Sequence, residues 1–347
     1  MYSIASVFLG VLLSILAHAA IEATYLSWAQ GSRHIIWYTS FGKGSCALHP
    51  ALQYGLLIVG AVGGFFLGKM WWRMVYIEQR WSKGMFDKKR GEKIWVSNRH
   101  HQKLSVVVEQ HPSAKGLVFI MHGMGGFKEQ KSIRAYAEAF FEGGCTVVTF
   151  DTANTIGESE GTIEKASIVN YYSDLEDIIL WAKKQRWYQT PFILVGHSLG
   201  GICVTVYAQK HPEEVRALAP TATVISGRLS KARHSQEKLD QWKKDGFRKV
   251  ASNSKPGVIS KIPWSSIVDL QAYDVLPDAH KLTMPVLGIV GDQDTSTPLA
   301  HQQMLINKVS GPKELHVIKG AKHGFYEPHE LAQVKKIISQ WVKKIPQ

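Results

Sequence analysis

An apolar run ending at Val195 passes directly into Gly-His-Ser-Leu-Gly, residues 196–200. Such a run is typical of a buried strand, and apolar residues at helical spacing follow it. The pattern Gly-x-Ser-x-Gly between a strand and a helix requires a sharp turn, which holds the serine hydroxyl beyond the carboxyl end of the strand. Gly196 and Gly200 are needed beside the serine because strand and helix nearly touch there. The segment therefore predicts an exposed nucleophile, Ser198, at the edge of a sheet.

Two later apolar runs also have the character of buried strands, and each ends in a polar loop. The run 285–290 leads to Asp292 and Asp294, and the run 315–318 leads to His323. A serine hydroxyl is a poor nucleophile, so it needs a base and an acid that orients the base. The chain thus carries serine, acid and histidine in that order, each after a strand and on the same side of the predicted sheet.

With these motifs the chain resembles the α/β-hydrolase superfamily, in particular its serine-aminopeptidase-like, monoglyceride-lipase and cinnamoyl-esterase branch. The resemblance covers roughly residues 90 to 345 and rests on four linked motifs: Met-His-Gly-Met-Gly-Gly at 121–126, the Ser198 turn, the Asp294 loop and the His323 loop. It implies an α/β fold with a mostly parallel, doubly wound sheet and a short lid. It also implies acyl transfer to water without a cofactor or metal.

The resemblance assigns a role to each residue of the site. His323 takes the proton of Ser198 and later protonates the leaving group, while Asp294 orients the imidazole, with Asp292 as the fallback acid. The backbone N–H groups of Met124 and Leu199 stabilise the oxyanion. Four supporting residues complete the predicted site: His122, which braces the loop, and Gly123, Gly196 and Gly200, which allow close backbone approach.

Several other patterns have structural interpretations. Ser159 follows Asp151 in a Gly-Glu-Ser-Glu-Gly loop and is interpreted as a turn residue. The histidines at 100, 101 and 111 have no spacing that matches a zinc site. The sequence has no phosphate-binding loop, no dinucleotide fingerprint and no nucleic-acid-binding module. These patterns leave hydrolysis without a cofactor as the predicted chemistry.

The hydrolase domain is predicted over 81–347, since strands and helices alternate there as in a sheet covered on both faces. A C-terminal helix is predicted over 331–342, and residues 221–283 form a lid insertion between two strands. Strands are predicted near 103–109, 116–121, 145–151, 191–196, 215–219, 285–290 and 314–318.

Residues 1–80 have a different composition and predict a membrane anchor, with helices at about 4–28 and 52–76. About 20 apolar residues span a bilayer, and the second stretch has this length, no charge before its end and aromatic residues where it ends. The first stretch is either a retained helix or a signal peptide cleaved after Ala-His-Ala at 17–19. The anchor therefore consists of one or two transmembrane helices.

Charge predicts the orientation of this anchor. Eight lysines and arginines lie within 69–93, whereas the connection between the apolar stretches contains only Arg33 and Lys43. Because positive residues stay on the cytoplasmic side, the hydrolase domain is predicted to be cytoplasmic, and either interpretation of the first stretch gives this result.

The lid is rich in basic and aromatic residues, and the whole chain has a net charge of +13. These residues form either a solvated face or a surface that contacts anionic lipid or an acidic substrate. The residues concerned are Arg228, Lys231, Arg233, Lys238, Lys243, Lys244, Arg248, Lys249, Lys255 and Lys261, with Trp242, Phe247, Trp264 and Tyr273.

Three functions are compatible with this sequence. The first is a membrane-anchored esterase acting on acyl glycerols, lysophospholipids or similar amphiphiles, with the membrane and a small-molecule ester as partners. The second is a serine aminopeptidase-like peptidase, which needs an acidic lid residue to hold the substrate amino group. The third is a membrane scaffold without activity, which has no reason to keep Ser198, Asp294 and His323 together. The sequence does not indicate an oligomeric state.

Overall fold

A computed structural model divides the chain into two compact units, 1–87 and 88–347. The residues that the structure describes are 2–29, 35–39, 46–72 and 91–346. The predicted domain boundary between 80 and 81 lies outside the described residues.

The first unit contains two apolar helices, α1 (Tyr2–Ala29) and α2 (Pro50–Trp72). Both are long and apolar enough, by length and composition, to cross a bilayer. Their large apolar side chains are mostly exposed, as shown by Phe8 at 67% and Val59 at 68% of the maximum. The predicted helix over 52–76 is present from Pro50 to Trp72, and its last four predicted positions lie outside the described residues.

Small residues bring α1 and α2 into close contact. A Cβ added to Gly60 would lie 2.7 Å from Cβ of Ser14, and one added to Gly64 would lie 3.2 Å from Cα of Gly10. The small residues recur every four positions on both helices, which is the spacing that lets the backbones of membrane helices approach closely.

The second unit alternates strands and helices. Its strands are β1 (Glu92–Ser97), β2 (Lys103–Glu109), β3 (Gly116–Met121), β4 (Cys145–Phe150), β5 (Phe192–His197), β6 (Val215–Thr221), β7 (Phe247–Ala251), β8 (Ile259–Pro263), β9 (Val286–Gly291) and β10 (Lys313–Ile318). Its α-helices are α3 (Lys131–Glu142), α4 (Ile168–Ala182), α5 (Leu199–Lys210), α6 (Gly227–Ala232), α7 (Gln236–Asp245), α8 (Trp264–Leu270), α9 (Leu299–Lys308) and α10 (Pro328–Val342).

Eight strands form the central sheet in the order β1-β2-β4-β3-β5-β6-β9-β10. The strands from β4 to β10 in this order are parallel, and β1 and β2 add an antiparallel edge. Both faces of the sheet are covered. One core contains buried side chains of α4 and α5, and the other contains those of α3 and α10. The predicted α/β-hydrolase fold, with its mostly parallel sheet, is confirmed.

All seven predicted strands are present, with ends that differ by up to two residues. Strand β1, which lies at the edge of the sheet, was not predicted from the sequence. Its burial is uneven, because Val96 is buried while Trp95 is 49% exposed. The strand lacks the continuous apolar run of its neighbours and forms by pairing with β2.

The lid segment folds into three short helices and an antiparallel hairpin. The hairpin joins β7 to β8, and its register places Arg248 opposite Ile262. Trp242 of α7 is buried, and its indole N–H donates a hydrogen bond of 3.0 Å to the carbonyl of Ile262. This bond attaches α7 to the hairpin, which was not predicted.

Candidate active site

Ser198 lies on a strained turn between β5 and α5. Its φ is +56° and its ψ is −115°, a backbone conformation that non-glycine residues rarely adopt. The turn is held because the Ser198 N–H donates to the carbonyl of Thr221, and its own carbonyl accepts from the N–H groups of Gly201 and Val224. Ser198 occupies the N-cap position of α5, yet its side chain makes no cap hydrogen bond. The hydroxyl therefore remains available to other groups.

The glycines beside the serine are required by the tight packing. A Cβ on Gly196 would lie 2.7 Å from a methyl group of Val204, and one on Gly200 would lie 2.8 Å from the carbonyl oxygen of Met121. Both distances are shorter than an ordinary van der Waals contact, so larger residues would force strand and helix apart.

His323 connects Ser198 to Asp294. Its Nε2 lies 2.8 Å from Oγ of Ser198, and its Nδ1 lies 2.8 Å from Oδ2 of Asp294. The three residues meet because β5, β9 and β10 are parallel, so that the loops following them lie at one edge of the sheet. The structure thus brings together the three residues predicted to be catalytic.

Asp294 is held as a carboxylate by several donors. Oδ1 accepts the backbone N–H groups of Ser296 and Thr297, at 2.7 and 2.9 Å, and Oδ2 lies 2.8 Å from Oγ1 of Thr297. Burial raises the pKa of Asp294, but hydrogen bonds from His323 and Thr297 outweigh it and lower the pKa to about 2. Thr297 was not singled out in the sequence, although the polar turn after the strand is a signal for such a bond.

Asp292, the fallback acid, has a different partner. Its side chain is exposed, and Oδ1 accepts the backbone N–H of Gly320 at 2.7 Å. This bond ties together the loops after β9 and β10.

The loop after β3 passes directly beside the nucleophile. A Cβ on Gly123 would lie 2.8 Å from Cβ of Ser198, so only glycine fits there. Met124 and Leu199, predicted to supply the oxyanion donors, line the same cavity as Ser198. Leu199 is the first residue of α5, where N–H groups have no acceptor within the helix.

His122 is buried and both ring nitrogens have backbone partners. Nδ1 lies 2.8 Å from the carbonyl oxygen of Gly123, and Nε2 accepts the N–H of Thr152 at 3.1 Å. This pattern requires a proton on Nδ1, and burial lowers the pKa of the ring, so that His122 is neutral. It connects the loop after β3 to the end of β4.

Comparisons with known proteins agree with this architecture. The family profile described as "Serine aminopeptidase, S33" matches residues 112–266, which include Ser198. The structure of Est1E from Butyrivibrio proteoclasticus, solved with ferulic acid, superposes with a TM-score of 0.63 at 21% identity, covering 73% of this chain and 98% of Est1E. The second unit of the chain has the α/β-hydrolase fold.

Two curated proteins are similar to this chain over about two thirds of its length. An uncharacterised 31.7 kDa protein of Escherichia coli is 27% identical over 268 residues, which is 68% of this chain and 91% of that protein. The mitochondrial palmitoyl-protein thioesterase ABHD10 of Rattus norvegicus is 25% identical over 228 residues, which is 64% of this chain and 72% of that protein. The mouse ABHD10 structure superposes with a TM-score of 0.62 at 20% identity, covering 74% of this chain and all of that chain.

A buried lysine braces the loop after β3, and no sequence signal pointed to it. Lys128 is 1% exposed, and its Nζ lies 2.9 Å from Asp151 and 2.5 Å from Glu158. The ammonium of Lys128 and that of Lys93 lower the pKa of Glu158 to about 2. Ser159, interpreted as a turn residue, donates to the carbonyl of Asp151 at 2.7 Å.

His197, which precedes the nucleophile, packs beneath the site. Its ring centroid lies 5.0 Å from that of His323, and burial together with the His323 charge lowers its pKa to about 3. Its Nδ1 lies 3.5 Å from the hydroxyl of Tyr136. A neutral ring at this position adds no positive charge beside His323. No signal in the sequence pointed to His197.

The hydrolase has an open cavity of about 670 Å³ over Ser198 and His323, with the lid forming one wall. Arg233, Arg248 and Lys322 are among the lining residues, whereas none of the described residues that line it carries a carboxylate. The cavity is therefore electropositive.

Two groups of described residues have the ligand types and spacing to hold a metal ion, and both lie outside this cavity. Glu129, Asp151 and Glu158 surround the ammonium of Lys128, which is the cation of that cluster. The other group is His18, Glu22 and Cys46 of the first unit, whose ligand atoms lie within 4.8 Å of one another.

Proposed function

We propose that this α/β hydrolase is a serine esterase that cleaves carboxylic esters through an acyl-enzyme. The chain of two 2.8 Å contacts, from Ser198 Oγ to His323 and from His323 to Asp294, carries the proposal. A base in hydrogen-bond contact with a hydroxyl, and itself oriented by a carboxylate, is the arrangement that activates a serine.

The reaction has two balanced steps. Ser198 Oγ attacks the carbonyl carbon and its proton passes to His323 Nε2, while the N–H groups of Met124 and Leu199 donate to the oxyanion. The intermediate collapses with cleavage of the ester bond, and the alcohol leaves with the proton from His323. Water then attacks the acyl carbon and gives its proton to His323 Nε2. The bond to Ser198 Oγ breaks, His323 returns the proton to Oγ, and the carboxylic acid is released.

An amphiphilic ester such as an acyl glycerol or lysophospholipid is the proposed substrate class. A cavity of about 670 Å³ holds a drug-sized or acyl-chain ligand, and apolar lid residues such as Ile262 and Ile267 contribute to its wall. Because the rodent relatives are named palmitoyl-protein thioesterases, long-chain thioesters belong among the substrates to be tested.

The peptidase alternative takes its support from the family name alone. An aminopeptidase must hold a protonated amino group, for which a carboxylate is the natural partner. The described lining of the cavity offers three cationic side chains and no carboxylate, and this favours the ester over the peptide.

Hydrolysis by the full-length protein in non-ionic detergent tests this function. We expect turnover of 4-nitrophenyl esters, with a preference for chains longer than acetate, and loss of turnover in Ser198→Ala. Ser310→Ala, at an exposed serine, is the control and should match the wild type. A palmitoyl thioester and an aminoacyl nitroanilide are assayed in parallel. Turnover of the anilide alone would mean that the protein is a peptidase and not an esterase. Unchanged activity in Ser198→Ala would mean that Ser198 is not the nucleophile.

We further propose that α1 and α2 are retained as a membrane anchor and that the hydrolase faces the cytoplasm. The exposed apolar surface of both helices supports a membrane environment, and their contact through Gly10 and Ser14 supports retention of α1. The sidedness rests on the basic residues that follow α2.

Labelling of cysteines in intact cells tests the topology. Cys46 lies between the two helices and is half-buried, whereas Cys145 and Cys203 are buried in the hydrolase. We expect a membrane-impermeant maleimide to label the wild type and to leave Cys46→Ser unlabelled. Labelling of the wild type only after the cells are opened would reverse the proposed orientation.

A further inference from the structure

Two lid arginines, Arg233 and Arg248, line the cavity that contains the nucleophile. Arg233 follows α6, and Arg248 lies in β7 of the hairpin. The proposed ester hydrolysis uses neither guanidinium, because its proton transfers need only Ser198, His323 and Asp294.

Arg248 is held in place without an ionic partner. Its guanidinium carbon lies 4.4 Å from the centroid of the Trp242 ring, which is itself fixed by the hydrogen bond to Ile262. Its Nε is buried and has no hydrogen-bond partner among the described residues. No described carboxylate forms an ion pair with it either. A guanidinium that is oriented by stacking but has a buried unpaired N–H is suited to an anion that arrives from outside.

The positive charge of Arg233 makes the burial of the Arg248 guanidinium less favourable. Burial and the charge of Arg233 together lower the pKa of Arg248, which means that the two cations repel each other. Arg233 is attracted by Asp294, but that carboxylate is already hydrogen-bonded to His323 and Thr297. Among the described residues only Arg248 covers Trp242, and the guanidinium of Arg233 donates a long hydrogen bond, 3.4 Å from Nη1 to the carbonyl oxygen of Thr295. Neither contact neutralises the charge of the pair.

Arginine recognises planar anions through parallel N–H donors, and carboxylates and phosphates have the matching geometry. We propose that the ester substrate carries a negatively charged carboxylate or phosphate group, which Arg233 and Arg248 bind beneath the lid while Ser198 attacks the ester. This inference rests on the proposed esterase function and specifies its substrate.

Matched pairs of esters separate the effect of charge from that of chain length. On the acyl side, 4-nitrophenyl hydrogen suberate is compared with 4-nitrophenyl methyl suberate, which differs by a methyl ester at the far end. On the alcohol side, 1-oleoylglycerol 3-phosphate is compared with 1-oleoylglycerol. The ratio of kcat/KM for the anionic to the neutral ester is measured on the full-length protein in non-ionic detergent.

We expect the wild type to prefer the anionic ester in at least one pair, which also distinguishes a carboxylate from a phosphate ligand. Arg248→Met and Arg233→Met should each lower this ratio by about tenfold to a hundredfold, since each removes hydrogen bonds between charged groups. Arg248→Lys should lower it less, because the charge remains but the paired donors are lost.

Lys249→Met is the matched control. It removes the same charge from the next position of β7, where the side chain is exposed and points to the opposite face of the strand. The ratio should stay at the wild-type value. A fall equal to that of Arg248→Met would mean that the overall field of the lid acts on the substrate, which would overturn the assignment to Arg233 and Arg248.

Failure of this inference is distinguishable from failure of the esterase function. If both members of each pair are hydrolysed and the ratio of kcat/KM for the anionic to the neutral ester is near one, the esterase function stands and the anion site is overturned. Binding is measured separately by calorimetry on Ser198→Ala, with monomethyl suberate and glycerol 3-phosphate as the probes. Saturable binding that Arg248→Met abolishes would support the site even if no ester were cleaved, and no binding of either probe would overturn it.

Discussion

Gly123→Ala tests how closely the loop after β3 approaches the nucleophile. The added Cβ would lie 2.8 Å from Cβ of Ser198 and 3.0 Å from the carbonyl oxygen of His197. Ordinary van der Waals contact begins at 3.4 Å, so one side must move by about 0.6 Å. Ser198 cannot yield easily, because three backbone hydrogen bonds hold its turn. The loop itself must therefore move, and Met124 moves with it.

This movement should lower the rate of reaction and leave the binding of substrate nearly unchanged. A misplacement of about 1 Å in a reacting geometry costs about a hundredfold in rate. We therefore expect kcat to fall by about 30- to 100-fold, which is roughly 2 to 3 kcal/mol in activation free energy. KM should change little, since the lid and the rest of the cavity are not altered.

The assay is steady-state hydrolysis of the best neutral 4-nitrophenyl ester, with the melting temperature of each variant measured alongside. Gly116→Ala is the control, because it places a methyl group at the start of β3, where it meets the flexible end of Arg216 at 3.3 Å and Sγ of Cys145 at an ordinary 3.9 Å. A Gly123→Ala enzyme with wild-type melting temperature and a kcat within about threefold of the wild type would refute the reasoning.

Other predictions concern the acid and the charges buried near the site. Asp294→Asn should lower kcat by about four orders of magnitude through loss of the correct imidazole tautomer, whereas Asp292→Asn should stay within about twofold, and equal losses would contradict the assignment. The folded pKa of Asp294 is about 2 and its ordinary value is 3.8; the carboxylate therefore stabilises the fold above pH 3.8, and this contribution is lost as the pH falls through 2. The drop in melting temperature on acidification should consequently be smaller in Asp294→Asn than in the wild type, and an equal drop would count against this linkage. Lys128→Met leaves the buried carboxylate of Asp151 without its ammonium and should cost about 3 to 5 kcal/mol in urea unfolding, whereas the exposed Lys165→Met should not.

Local patterns in the sequence were sufficient to predict the strands of the central sheet and the three candidate catalytic residues. Seven strands of the central sheet are segments rich in apolar residues, and their composition and bounding turns are properties of the chain itself. Ser198, Asp294 and His323 each follow such a strand, so the parallel topology alone predicts that they meet at one edge. The edge strand β1 was missed because only its pairing with β2 makes it a strand.

The tertiary structure decided the contacts between segments that are distant in sequence. The burial of Lys128 against Asp151, the proximity of Gly123 to Ser198 and the orientation of Arg248 over Trp242 all join different elements. In the sequence the lid was a basic segment that fitted either a solvated face or an anion-binding surface. Its fold turns two of those charges into the cavity and leaves others exposed, because burial and the direction of a side chain depend on what packs around it.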